Sequence, residues 1–268
     1  MQQRGSVQIV QFTDTHFFGT PEGRLLGVDT AQSFQSVLDA SLKETGVPDF
    51  YLLTGDLSQD ESPQSYMRLA QLLAQLDAPA YSLPGNHDMH AVMDDCFANS
   101  ADNLKADRHL IAGNWQVIML DSVVQGEVGG HLDQDELNRL DHLLMQHRDK
   151  YALVALHHHP VPIGCHWIDS IMLDNGEDFF GILQRYETVR CVLWGHIHQA
   201  FDTTRRGIRL LATPSTCVQF KPQAPQFAVD EKAPGYRHLR LFSDGTIETA
   251  VIRAAQLPQG LQLKSAGY

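Results

Sequence analysis

The sequence predicts an α/β fold in which mostly parallel strands are covered by helices. Two observations carry this expectation. Short apolar runs alternate with helical patterns, the signature of βαβ units in a sheet covered on its faces. The runs also end abruptly in polar residues able to bind metals. In open parallel sheets, ligands gather at the carboxyl ends of strands.

The elements follow in order. Residues 7–12 read as a buried strand ending in TDTH. Residues 31–45 repeat apolar side chains at Phe34, Val37, Leu38 and Leu42. Asp29 or Thr30 can cap that helix, and Gly46 follows its end. Residues 50–54 (FYLLT) form a strand ending in GDLS. Residues 62–76 put Tyr66, Leu69, Ala70, Leu73 and Leu76 on one helical face, with Pro63 in the permitted first turn. Strands at 80–83 and 116–120 end in PGNHD and DS. A helix at 133–147 carries Leu137, Leu140, Leu143 and Leu144. The strand at 152–156 runs into HHHP, a shorter helix spans 177–186, and the strand at 189–194 runs into GHIH. The Leu and Phe stripes are core.

From about Gly195 the texture turns to short strands and hairpins. Strands are expected at 204–207, 210–212, 236–242 and 247–252, with a Ser243-Asp244-Gly245 turn. Residues 222–234 are Pro-rich and read as a long surface loop. The last dozen residues are expected to be loosely held. No linker or internal repeat divides the chain, so 1–268 reads as one domain. Its motif region is 7–202 and its β-rich part 203–255.

Composition sets the outer limits. A chain of 268 residues with 43% hydrophobic content can build a sizeable core. The net charge is −12 and no Lys/Arg run occurs. That argues against a nucleic-acid binder and against an anionic membrane surface as main partner. The N-terminus lacks the apolar core of a signal peptide. No stretch reaches the roughly 18 apolar residues of a membrane span. A cytoplasmic protein is expected. Cys96, Cys165, Cys191 and Cys217 form no C-x-x-C pair and read as free thiols. Monomer and homodimer both fit.

The 14 histidines are the unusual feature, because they concentrate in DTH, GNHD, HHHP and GHIH. Asp14, His16, Asp56, Asn86, one of His157, His158 and His159, His196 and His198 supply carboxylate, amide and imidazole. No thiolate is included. Such N/O donors suit Fe, Mn, Co or Zn. They are too many for one open tetrahedral site and suit two ions sharing a carboxylate. A two-metal pair sits about 3.5–4 Å apart and clamps both oxygens of an in-line displacement. Gly55, Gly85 and Gly195 adjoin these candidates and permit close backbone approach. His87 is placed to protonate a departing alkoxide or to bind the phosphoryl group.

The ordered set DTH, GD, GNHD, HHHP and GHIH resembles the calcineurin-like metallophosphoesterases, from Asp14 to His198. Each motif alone is weak; the order is specific. The resemblance implies two packed mixed β-sheets flanked by helices, a four-layer αββα sandwich. It implies one metal held by Asp14, His16, Asp56 and His198. It implies a second held by Asp56, Asn86, His157 and His196, with Asp56 bridging. Iron and manganese are the expected ions, with zinc and cobalt as alternatives. His87 matches the catalytic histidine of the family. His16, Asp56, Asn86, His87 and His198 would also contact substrate. His157 is chosen because the family's HH-P pattern uses its first histidine; His158 is the alternative.

The stretches LHHHPVPIGCHWID, LLATPSTCVQFKP and APGYRHLRL resemble more narrowly the bacterial 3′,5′-cyclic-AMP phosphodiesterases. This implies hydrolysis of cyclic AMP to 5′-AMP by a metal-bridging hydroxide, lowering cellular cyclic AMP. A broader metallophosphoesterase on the same metal core is the alternative.

Plainer roles remain for the other residues. His90, His109, His131, His142, His147 and His238 read as surface or core histidines. His158 and His159 could orient a ligand or touch phosphate. His166 and Trp167 could line the pocket, and an aromatic face there could stack on a base. Asp121 reads as a helix cap or loop anchor, Cys217 as packing, and Arg205 and Arg206 as a solvated hairpin tip.

Overall fold

The computed structural model describes residues 5–100, 103–265 and 267. It contains two six-stranded mixed sheets. The first sheet takes β1 (Ser6–Phe12), β2 (Phe50–Thr54), β3 (Ala80–Leu83), β4 (Leu104–Lys105), β11 (Gly235–Phe242) and β12 (Ile247–Arg253), in the order β12-β11-β1-β2-β3-β4. The second takes β5 (His109–Ala112), β6 (Trp115–Met119), β7 (Tyr151–Ala155), β8 (Val189–Trp194), β9 (Phe201–Arg205) and β10 (Ile208–Ala212), in the order β5-β6-β7-β8-β10-β9. The centre of each sheet is parallel; antiparallel strands lie at both rims of the second sheet and at the β11–β12 rim of the first, whose other rim, β4, is parallel.

Side-chain alternation divides the core into layers. Ile9, Leu52, Leu83, Trp115, Val117, Leu153, Leu193 and Leu239 pack between the sheets. Their chain neighbours Val10, Tyr51 and Leu53 point the other way, onto the helices α1 (Thr30–Glu44), α2 (Pro63–Leu73) and α3 (His90–Ala98). On the far side Ile118, Val154 and Val192 pack with Leu140 and Leu144 of α4 (Gln134–Gln146). Ile168 of α5 (His166–Asp169) and Phe179 and Phe180 of α6 (Gly176–Leu183) complete that layer. This is the expected four-layer arrangement. Strands buried on both faces explain why the sequence shows apolar runs rather than alternation. Each fully buried Leu or Phe contributes about 1.5–3 kcal/mol relative to exposure.

Most helix boundaries follow the cap signals. Asp29 accepts from the Gln32 N–H, and Gly46, at φ 74°, donates to the Leu42 carbonyl behind α1. Two helices end earlier than their apolar stripes predict: α2 stops at Leu73 and α6 at Leu183. Leu76 and Tyr186 are instead held by turns, and the Tyr186 hydroxyl donates to Asp141. The helices α3 and α5 and the strands β4 and β5 have no counterpart among the elements the sequence predicts. No side chain caps α3 at Met89, and the two strands are short and lie at sheet edges.

The hairpin of β9 and β10 corrects the expected 204–207 strand. Gly207 lies in the turn with Arg206, both at positive φ, and Arg205 pairs with Ile208. Arg205 is not a bare tip residue, since it reaches Glu177 at 2.8 Å and lies over the Phe180 ring. The 222–234 loop is at the surface in part, with Pro222, Gln223, Pro225, Gln226, Glu231 and Lys232 exposed, but it is also folded back on the molecule. Lys221 donates to the Ala228 carbonyl, Asp230 donates to Gln219, and Ala224 and Val229 are buried. Near the C-terminus the Gln262 N–H donates to the Leu26 carbonyl at 2.9 Å, so that stretch is anchored. Residues 266 and 268 lie outside the described residues. No helix among the described residues is long and apolar enough to cross a membrane.

Candidate metal centre

Loops leaving the carboxyl ends of β1, β2, β3, β7 and β8 meet at one place. All eight sequence-predicted residues reach it or flank it. Ligand-type atoms of Asp14, His16 and His198 lie within 4.8 Å of one another. The same holds for Asp14, Asp56 and His157, for His16, Asp56 and His87, and for His157, His158 and His196. Asp56 takes part in two of these four groups. Asn86 stands between Gly85 and His87, and its buried Oδ1 has no hydrogen-bond partner among the described residues.

Backbone bonds hold these loops together. The Asp14 and His16 N–H groups donate to the carbonyls of Gly55 and Asp56 at 3.0 and 2.9 Å. The His196 N–H donates to the Asp14 carboxylate at 3.0 Å, and the His87 N–H to Asp56 Oδ1 at 2.9 Å. The Ser215 hydroxyl donates to the Asp14 carbonyl at 2.8 Å. Asp14, His16, Asp56, His196 and His198 all adopt left-handed backbone, with φ between 47° and 65°. Such conformations cost about 1–3 kcal/mol each and persist only where the surroundings impose them. Two glycines make the convergence possible. A Cβ on Gly85 would strike Asp56 Oδ1, and one on Gly195 would strike Thr13 Oγ1.

Ring orientation can be read from carbonyl partners. A carbonyl only accepts, so the ring nitrogen facing it carries the proton. His157 Nδ1 donates to the Thr54 carbonyl at 2.8 Å, turning Nε2 toward Asp56 Oδ2 at 3.3 Å. His198 Nδ1 donates to the Val218 carbonyl at 2.8 Å. Its Nε2 then lies 3.2 Å from His16 Nε2 and 3.5 Å from Asp14 Oδ1. His196 Nε2 donates to the Ile171 carbonyl at 3.1 Å, which leaves Nδ1 as its lone-pair nitrogen. His158 differs. Its Nδ1 meets the Ser122 hydroxyl at 2.8 Å and its Nε2 the Val128 carbonyl at 3.2 Å, so protein partners engage both nitrogens.

The electrostatics fit a cation site. Burial pushes His157 down, but the carboxylates of Asp56 and Asp14 overcome it and hold its pKa at about 9. Burial raises Asp56, yet His157 and His87 bring it well below the usual carboxylate range. Two buried carboxylates thus favour positive charge beside His157, which a bound metal ion would supply in place of the second ring proton. Burial lowers His16 to about 3 and His196 well below its ordinary value, so both offer neutral imidazole. The donors are all N and O, with no thiolate. Donor type, burial and lone-pair direction therefore all suit divalent transition ions.

Sequence reasoning gave Asp88 no role of its own. It is buried and accepts from the N–H groups of Leu57, Ser58 and Gly85 and from the Tyr66 hydroxyl. It therefore ties the loop after β2 to the loop after β3. Burial and then the Asp56 charge push its pKa up to about 6, a repulsion that cations at Asp56 would relieve. Its only sequence signal was the last letter of GNHD. Among the residues read more plainly, Asp121 is a loop anchor: it accepts from the Val123 N–H and pairs with His90 and Arg108. Cys217 is buried packing, and all four cysteines are free thiols.

A cavity of about 500 Å³ opens beside the centre. Asn86 and His87 line one part of it, and Trp167, Ile171, Phe227 and Val128 another. His166 is exposed and does not line it. A second cavity, of about 550 Å³, lies between α1 and residues 252–259, away from these groups. Phe220 stacks on the His198 ring at 4.1 Å and 9°.

Comparison with known proteins bears on this site. The chain is 44% identical over 263 residues to the 3′,5′-cyclic adenosine monophosphate phosphodiesterase CpdA of Pseudomonas aeruginosa, covering 98% of this chain and 96% of that one. It is 41% identical to the protein of the same name from Escherichia coli, covering 98% and 95%. Among solved structures, a dimetal phosphatase from Danio rerio superposes with a TM-score of 0.64 at 14% identity, covering 93% of this chain and 99% of that one; this likeness concerns the fold. The calcineurin-like phosphoesterase model matches residues 7–200, which include every residue of the centre. The chain belongs to the calcineurin-like phosphoesterase family.

Proposed function

We propose that this protein hydrolyses 3′,5′-cyclic AMP to 5′-AMP at a two-metal centre. The observation that carries the reading is one cluster of buried N and O donors around Asp56, with His87 at its open side. The full-length likeness to cyclic-AMP phosphodiesterases supports the substrate. Asp14, His16, Asp56 and His198 would hold one ion. Asp56, Asn86, His157 and His196 would hold the other. When bound, the ions supply Lewis-acid stabilisation of phosphoryl charge and a water acidic enough to attack near neutral pH. Iron or manganese suits the donor set, with zinc or cobalt also within its range.

The chain's own groups do the rest. The backbone bond from His87 to Asp56 keeps that imidazole against the centre, with its ring 5.1 Å from the His16 ring. From there His87 donates a proton to the leaving 3′-oxygen. Asn86 and His87 orient the phosphate, together with His16, Asp56 and His198. Asp88 fixes the loop that carries His87. Residues 1–268 act as one unit in this reading, since β11 and β12 complete the sheet begun by β1. A cytoplasmic enzyme that lowers cyclic AMP is in keeping with four buried free thiols.

The test is turnover of cyclic AMP, cyclic GMP, 2′,3′-cyclic nucleotides and 4-nitrophenyl phosphates by protein loaded with Mn²⁺ or Fe²⁺. Cyclic AMP is expected to give the highest kcat/KM. If it turns over no faster than the aryl esters, a broad-specificity phosphoesterase replaces this reading.

A further inference from the structure

The metal centre accounts for the phosphate of a substrate and leaves the far wall of the cavity unexplained. That wall is aromatic. Trp167 lies half-exposed on it, with Phe227 beside it at 5.2 Å between ring centroids. Phe220 stands behind, 5.1 Å from Trp167 and 5.4 Å from Phe227. Phe220 in turn stacks on His198. A continuous run of rings therefore leads from a candidate ligand to the pocket wall.

The wall is held firmly. Asp169 accepts from the N–H groups of Ile163, Gly164 and Cys165 and so closes the turn ahead of α5. Ile168, next to Trp167, is fully packed in the core. The Cys165 thiol donates to the Ala224 carbonyl at 3.3 Å, joining α5 to the loop that carries Phe227. Trp167 Nε1 is buried without a hydrogen-bond partner among the described residues. Planar side chains fixed in this way bind flat ligands at little cost in side-chain ordering. The cavity size is that of a small-molecule site.

We propose that Trp167, supported by Phe227 and Phe220, is the surface on which the base of a nucleotide stacks while its phosphate occupies the metal centre. The proposal rests on the nucleotide reading above and adds the residue that recognises the base. Every base has a π-face, so stacking alone tolerates any base and makes the presence of a base matter.

The experiment compares equilibrium binding of 5′-AMP and ribose 5-phosphate to the metal-loaded full chain, in wild type, Trp167→Ala, Trp167→Leu and Trp167→Phe. Wild type is expected to prefer 5′-AMP, and Trp167→Ala to reduce that preference about tenfold. Trp167→Leu, which keeps bulk without a π-face, should fall with it. Trp167→Phe should retain most of the preference. An unchanged preference in Trp167→Leu overturns the proposal, even if Trp167→Ala fails to fold. Cyclic-AMP turnover by wild type is measured alongside. Turnover with a preference indifferent to Trp167 removes the stacking surface and spares the proposed function. No turnover with a preference that depends on Trp167 does the reverse.

Discussion

The two ends of the cavity are built on different principles. At the metal end, position is set by the main chain. Five candidate ligands sit in left-handed backbone at the ends of buried strands, none more than 4% exposed. At the aromatic end, position is set by side chains on loops and a single-turn helix, and Trp167 is half-exposed. His157 and His158 mark the boundary. The first turns its free nitrogen to Asp56; the second spends both nitrogens on Ser122 and Val128 and so holds the loop that lines the cavity. Chemistry is placed on strand ends by main-chain geometry, and recognition on side chains that a short helix and its neighbouring loop hold in place.

Breaking the metal end should have the largest effect. Asp56→Ala is expected to abolish turnover and remove both ions, because the proposed arrangement has both ions share that carboxylate. Metal analysis after gel filtration checks this; two ions still tightly bound would show that Asp56 is not shared. His87→Ala should keep the metal yet lower kcat by about 10²–10⁴, the range of general acid catalysis. An undiminished rate on a substrate with a poor leaving group would remove that role.

The boundary can be sharpened with the adjacent histidines. His157→Ala should lose metal. His158→Ala should keep it, raise KM through the loosened loop, and cost about 1–3 kcal/mol of stability for the partners it leaves unsatisfied. Denaturant titration and metal content together separate the two. Metal loss from His158→Ala alone would reverse their roles.

The smallest effect concerns the ion pair that joins α3 to the residues after β6. His90 of α3 meets Asp121 at 2.7 Å, with Arg108 also on Asp121 at 3.2 Å. The Asp121 hydrogen bond raises the His90 pKa, against burial and the Arg108 charge. Burial raises Asp121, but His90 brings it below its ordinary value. A raised His pKa adds stability that is complete below the unfolded value of about 6.5 and lost as pH rises through the folded one. A lowered Asp pKa adds stability present above about 3.9 and lost as pH falls through the folded value. The pair therefore stabilises between about pH 4 and 6.5. His90→Ala should cost under about 1 kcal/mol at pH 5.5, given the partial exposure, and less at pH 8.5. An equal cost at both values in urea unfolding would show that the ion pair contributes nothing.

The sequence disclosed the metal end far better than the aromatic end. Strand-end motifs are contiguous in the chain, so GHIH and GNHD can be recognised before any folding is known. Seven of the eight predicted residues meet in one cluster, with Asn86 beside it on the cavity wall, because parallel strands carry their loops to one rim. The histidine triplet left its register open, since only the carbonyls of Thr54 and Val128 distinguish the two rings. Asp88 was hidden because three of its four partners, Leu57, Ser58 and Tyr66, lie outside its own loop. Phe227 was hidden for a different reason: it sits in a Pro-rich stretch that composition marks as surface, and pairings such as Lys221–Ala228 and Asp230–Gln219 fold it back. The strands β4 and β5 were too short to show a period.

The left-handed residues also govern how this site can change by mutation. Glycine apart, asparagine, aspartate and histidine are the residues that enter that conformation most readily. They are the same types that offer oxygen and nitrogen to a cation. A chance replacement at Asp14, His16, Asp56, His196 or His198 by valine or isoleucine thus meets two separate penalties, lost coordination and a main chain that rejects the newcomer. Exchanges among the three accepted types keep the loop shape. Donor types at these five positions can therefore be exchanged while the main chain keeps its course.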